Sequence, residues 1–133
     1  MQFNKSEQDI NQQIQKIRFI LSDVDGVLTD GALLIGSDGT EYKKFQEICK
    51  QNNLSYDEVA YIGDGFVDIP PMKLAGLSIA ACNADNEVKK SADIVTEKKG
   101  GTGVLKEVVK FILSKQGKIE EAMKAMKEKV YDA

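Results

Sequence analysis

The chain has 133 residues, 42% apolar and 29% charged, which fits one domain with a hydrophobic core rather than a disordered or fibrous chain. Eighteen basic against twenty-one acidic residues leave a net charge of −3, with no electrostatic footprint for nucleic acid. No apolar run approaches the ~20 residues of a membrane helix. The first sixteen residues are mostly polar where a signal peptide would carry its apolar stretch, so a cytoplasmic soluble protein is expected. Histidine is absent, which excludes Ser-His-Asp triads and histidine-bound zinc. Cys49 and Cys82 lie far apart without a C-x-x-C pattern.

Residues 5–16 carry Ile10 and Ile14 at helical spacing. The apolar run Ile17–Leu21 ends in Ser22-Asp23-Val24-Asp25-Gly26, as a strand buried on both faces does on entering a loop. Ala32–Ile35 and Glu41–Phe45 flank Gly36-Ser37-Asp38-Gly39, which predicts a β-hairpin, followed by a short helix over Gln46–Asn53. Ser55 and Glu58 have capping-box spacing. Val59–Ile62 reads as a second buried strand, ending in Gly63-Asp64-Gly65, and 67–75 as a helix with Pro70 and Pro71 in its first turn. Leu77–Cys82 predicts a strand, Glu87–Ala92 a helix and Asp93–Thr96 a short strand. Gly100-Gly101-Thr102-Gly103 opens a helix with Val104, Leu105, Val108, Val109, Ile112 and Leu113 on one face. The tail from Gly117 has Ile119, Met123, Met126 and Val130 at helical spacing, with its docking left open. Strand alternating with helix indicates an α/β fold with a parallel sheet.

Asp23 and Asp25 end the first of these strands and Asp64 the second, with Asp68 one helical turn further on. Ligands of parallel sheets bind outside the carboxyl ends of the strands. Carboxylates clustered there without histidine suit a hard cation, most simply Mg²⁺. Such a cluster supports phosphoryl transfer, in which one carboxylate attacks phosphorus and a second acid moves the proton.

Leu21-Ser22-Asp23-Val24-Asp25-Gly26-Val27-Leu28-Thr29-Asp30-Gly31 resembles the first motif of the haloacid dehalogenase-like phosphatases, in the branch acting on 3-deoxy-D-manno-octulosonate 8-phosphate (KDO 8-phosphate). Tyr61-Ile62-Gly63-Asp64-Gly65-Phe66-Val67-Asp68 is similar to the family's metal-binding motif. Lys99-Gly100-Gly101-Thr102-Gly103-Val104 resembles the branch's C-terminal signature. The resemblance implies one Rossmann-like domain over 1–133, with a flap hairpin at about 32–45 and a tail helix at about 117–131. It implies Asp23 as nucleophile and metal ligand, and Asp25 as general acid/base with its carbonyl on the metal. Asp64 completes the Mg²⁺ site and Asp68 supports it. Thr29, Lys43 and Lys44 are further candidates to reach phosphate or substrate. The implied reaction is hydrolysis of a sugar phosphate in lipopolysaccharide biosynthesis, by a homotetramer in which one subunit's flap lies near another's site.

The chain departs from this pattern. The Ser or Thr after a second strand and the Lys before the metal-binding motif, both of which act on the phosphoryl group, are missing. The segment after Phe45 lacks two strands and their helices. Gly65 replaces a common acid, and Lys106 stands where Arg is usual. The remaining strands are expected to stay contiguous, with the N-terminal helix, the C-terminal helix or a second subunit covering one sheet face. The chain is expected not to be a stable monomer, because loss of two strands exposes the edge of the first strand and one face of a mostly apolar sheet. The alternatives are an inactive metal-binding or assembly remnant, a deletion variant, and a phosphatase of an acylneuraminate 9-phosphate.

Overall fold

The computed structural model describes residues 1–22 and 40–131. In chain order these form β1 (Gln2–Phe3), α1 (Glu7–Lys16), β2 (Phe19–Ser22), α2 (Thr40–Gln51), β3 (Val59–Gly63), α3 (Ile69–Leu74), β4 (Leu77–Ala80), α4 (Asn86–Ser91), β5 (Ile94–Val95), α5 (Val104–Gln116) and α6 (Ile119–Tyr131). The sheet order is β1-β5-β4-β3-β2. β2 to β5 are parallel neighbours, and β1 pairs antiparallel with β5. The four parallel strands are therefore contiguous, as the resemblance implies. β1 was not foreseen: two residues carry no periodicity, and pairing with β5 alone makes them a strand.

The alternation of β3 divides the core. Val59 and Tyr61 pack with Phe45 and Cys49 of α2, Met72 of α3 and Val88 of α4. Ala60 and Ile62 pack with Ile10 and Ile14 of α1 and Val104, Val108 and Ile112 of α5. Right-handed crossovers between successive parallel strands put α2, α3 and α4 on one face. The terminal helices α1 and α5 take the other, each fully buried Ile or Val contributing about 1.5–3 kcal/mol. The Gln116 side-chain amide joins this pair by donating to the Ile14 and Ile17 carbonyls, at 2.9 and 2.8 Å, where α1 ends. Both faces are covered, so the bare-face argument for an oligomer does not apply.

The second flap strand is corrected. Glu41–Phe45 is helical and continuous with the helix placed after it, in α2. Phe45 and Cys49, four residues apart, are both buried, and their helical spacing outweighs the turn signal at 36–39. The first flap strand, 32–35, lies outside the described residues. The helix placed at 67–75 is a 3₁₀ turn, Phe66–Asp68, followed by α3 with proline in its first turn. On α6, Met123 is 54% exposed and does not pack into the domain. No helix among the described residues is long and apolar enough to cross a membrane.

The amino ends of β2 and β3 are clamped by Glu58. Its carboxylate meets the Arg18 guanidinium at 2.9 Å and accepts from the Ser55 amide at 3.0 Å and the Ser55 hydroxyl at 2.8 Å. The Ser55 amide first, and then Arg18, lower the Glu58 pKa from 4.5 to about 2. A carboxyl depressed in the folded state stabilises fully above its unfolded pKa and loses that contribution as pH falls. Stability measured by urea unfolding should therefore decline between pH 4.5 and 2 more steeply than in Glu58→Gln. Parallel declines would show that the clamp contributes no pH dependence.

Candidate active site

Because β2 to β5 are parallel, Ser22, Gly63, Ala80 and Val95 all end at one edge of the sheet. Ser22 pairs with Ile62, so β2 stops one residue short of the level of Gly63. The turn after β3 is organised by Asp68, which is 0% exposed. One Asp68 oxygen accepts from the amides of Asp64 and Gly65, at 3.0 and 3.1 Å. The other accepts from the Tyr61 hydroxyl at 2.8 Å. Gly63 allows this approach, since a Cβ there would lie 2.5 Å from the Asp68 Cβ. The half-buried Asp64 is thereby carried on a backbone fixed from beneath, at the end of a fully buried strand.

The second loop at this edge, 96–103, is also tied down. The Glu107 carboxylate accepts from the amides of Glu97 and Lys98, both at 2.9 Å, and Asn83 Oδ1 accepts from the Gly100 amide at 2.9 Å. Those three amides are thus already engaged, which weakens the loop as an anion cradle. Lys98 and Lys99 are exposed.

Lys43 and Lys44 are exposed on the first turns of α2 rather than on a flap strand. α2 leads through residues 52–58 into the amino end of β3, so it starts towards the carboxyl edge and brings both lysines to that side. Asp23, Asp25 and Thr29 lie outside the described residues, and so does their convergence with Asp64. Among the described residues, no three Asp, Glu or Cys side chains are close enough to hold a metal ion. The donor chemistry fits a hard cation: Asp64 offers carboxylate oxygen, and the chain has no histidine.

Sequence reasoning missed Tyr61 as the partner of Asp68. The available signal was its phenol within an otherwise apolar strand, on the same face as Gly63 two residues on.

Gly63→Ala should force Asp68 off the turn and lower stability by about 1–3 kcal/mol. Tyr61→Phe takes the donor from a buried Asp68 oxygen and should likewise cost about 1–3 kcal/mol. Urea unfolding of both variants checks these losses, and an unperturbed Gly63→Ala would contradict the close packing.

The profile of the haloacid dehalogenase-like hydrolases matches residues 2–108. The 3-deoxy-D-manno-octulosonate 8-phosphate phosphatase of Escherichia coli (strain B / BL21-DE3) is 26% identical over 166 residues, covering 86% of this chain and 88% of that protein. About 114 residues of this chain are thus spread over a 166-residue span, so about fifty positions of that relative have no counterpart here. The cobalt-bound deoxy-D-mannose-octulosonate 8-phosphate phosphatase of Haemophilus influenzae superposes with a TM-score of 0.74 at 26% identity, covering 80% of this chain and 93% of that one. The 3-deoxy-D-manno-octulosonate 8-phosphate phosphatase of Yersinia pestis gives 0.76 at 26% identity, covering 84% and 89%. The family match spans most of the chain and agrees with the parallel sheet, and the chain belongs to the haloacid dehalogenase-like hydrolases.

Proposed function

We propose that the chain is a phosphoric monoester hydrolase, Mg²⁺-dependent and acting on a sugar phosphate of the KDO 8-phosphate type through an aspartyl-phosphate on Asp23. The observation that carries this reading is the turn after β3. It holds Asp64 on a fixed backbone at the carboxyl edge, beside the end of the strand that leads into Asp23 and Asp25. Relatives at 26% identity with that activity support the substrate class.

In this reading Asp23 forms the bond to phosphorus as the ester oxygen leaves. Asp25 gives that oxygen its proton and later takes one from the water that cleaves the aspartyl-phosphate. Asp23, Asp64 and the Asp25 carbonyl would hold the cation, whose charge offsets repulsion between carboxylate and phosphate. Asp68 fixes the Asp64 backbone, and Lys43 or Lys44, with Thr29, would meet the phosphate or sugar. The assembly is a homo-oligomer, a tetramer by resemblance, in which half-buried β2, an edge strand among the described residues, is available for burial.

A second reading is a metal-binding or assembly remnant with no useful turnover, favoured by the fifty or so missing positions. The hydroxyl and ammonium that would meet the phosphoryl oxygens belong to motifs the chain lacks, and losing one such donor costs about 10²–10³ in rate. Two losses need not add.

Phosphate release from KDO 8-phosphate should require Mg²⁺, fall to background in Asp23→Asn, and run well below the ordinary enzyme median of roughly 10 s⁻¹. Release equal in Asp23→Asn and the unmodified protein would leave the remnant reading.

A further inference from the structure

Two buried side-chain oxygens among the described residues have no hydrogen-bond partner: Asn11 Oδ1, on α1, and Glu41 Oε2, in the first turn of α2. Native proteins leave few such groups, because a buried acceptor without a donor costs about 1–3 kcal/mol. Attraction to the positive end of the helix explains an acid in the first turn, but not the burial of one of its oxygens.

The position of Glu41 explains it better. Glu41, Phe45 and Cys49 are successive at four-residue spacing, and Phe45 and Cys49 face the sheet, with Phe45 edge-on to Tyr61 at 5.9 Å between ring centres. Glu41 therefore lies one turn, about 6 Å, closer to the start of the helix on that same side. Along β3, about 6.6 Å separates Tyr61 from Gly63. Glu41 thus comes level with Gly63 and the start of the turn that carries Asp64. In the reading above Asp23, Asp64 and the Asp25 carbonyl hold the cation, which leaves Glu41 as an acceptor beside it.

We propose that Glu41 is a specificity-determining residue that accepts a hydrogen bond from a hydroxyl of the sugar in the bound sugar phosphate. This rests on the sugar-phosphate reading above. A hydroxyl is the donor that such a substrate brings beside its phosphate, and a carboxylate accepts it with a charge-assisted bond. A phosphate ester without hydroxyls leaves Oε2 unpartnered.

The test measures phosphate release from KDO 8-phosphate and from 4-nitrophenyl phosphate, which has no hydroxyl, by the unmodified protein, Glu41→Gln and Glu41→Ala. Thermal unfolding is recorded alongside. The KM for KDO 8-phosphate should rise about 10–100-fold with kcat little changed, the loss expected for a hydrogen bond to a charged group. Constants for 4-nitrophenyl phosphate should hold, and neither variant should unfold earlier, since no intramolecular bond is lost. Equal losses on both substrates, unchanged constants or an early-unfolding Glu41→Gln each overturn the proposal. So does a gain on both substrates, which would mean that the carboxylate repels phosphate. No release from either substrate by the unmodified protein overturns the sugar-phosphate reading as well.

Discussion

A buried carboxyl group with every visible demand met is the constraint on which the carboxyl edge depends. Burying Asp68 would be costly without partners, and it has three donors: the Tyr61 hydroxyl and the amides of Asp64 and Gly65. Each partner fixes something else. Tyr61 must stand on the α2 side of β3, where Phe45 packs against it. Gly63 must lack a side chain. The Asp64 backbone is then held in one course, so a ligand at its carboxylate meets a prepared atom rather than a mobile loop.

The rest of the fold supplies a rigid base for that turn. β3 is buried along its whole length between α2–α4 and the α1–α5 pair. The chain lacks about fifty positions of its relatives and still keeps β2, β3, β4 and β5 adjacent. Loss outside β2 removes no neighbour of β3 or β4, so the Asp64 side of the edge retains its support. In the proposed reading such a loss takes away phosphoryl-binding chemistry, so binding of the cation and speed of turnover separate.

The parallel strands were legible because a short apolar run that ends in small or acidic residues suits a strand buried on both faces. Both-face burial of Val59–Gly63 followed from its unbroken apolarity. The need to cover the second face followed from crossover handedness, but the choice of α1 and α5 over a second subunit did not. The start of α2 was misread because Gly36-Ser37-Asp38-Gly39 reads as a hairpin turn, while the helical signal, Glu41 to Phe45 to Cys49, begins only after it. At the carboxyl edge, the placement of Asp64 and Asp68 was legible from type and spacing. The Tyr61–Asp68 bond and the unpartnered Glu41 oxygen were not, since both depend on how α2 and the 3₁₀ turn pack onto β3.

The central claim is that Asp23 and Asp64 act together at this edge as the nucleophile and cation site of a phosphotransfer enzyme. Beryllofluoride, which mimics an aspartyl-phosphate, tests it without requiring fast turnover. Fluorine NMR should show bound beryllofluoride only with Mg²⁺ present, and the bound signal should vanish in Asp23→Asn and in Asp64→Asn. Folded protein that shows no bound signal with Mg²⁺, or a signal indifferent to both substitutions, would contradict the account.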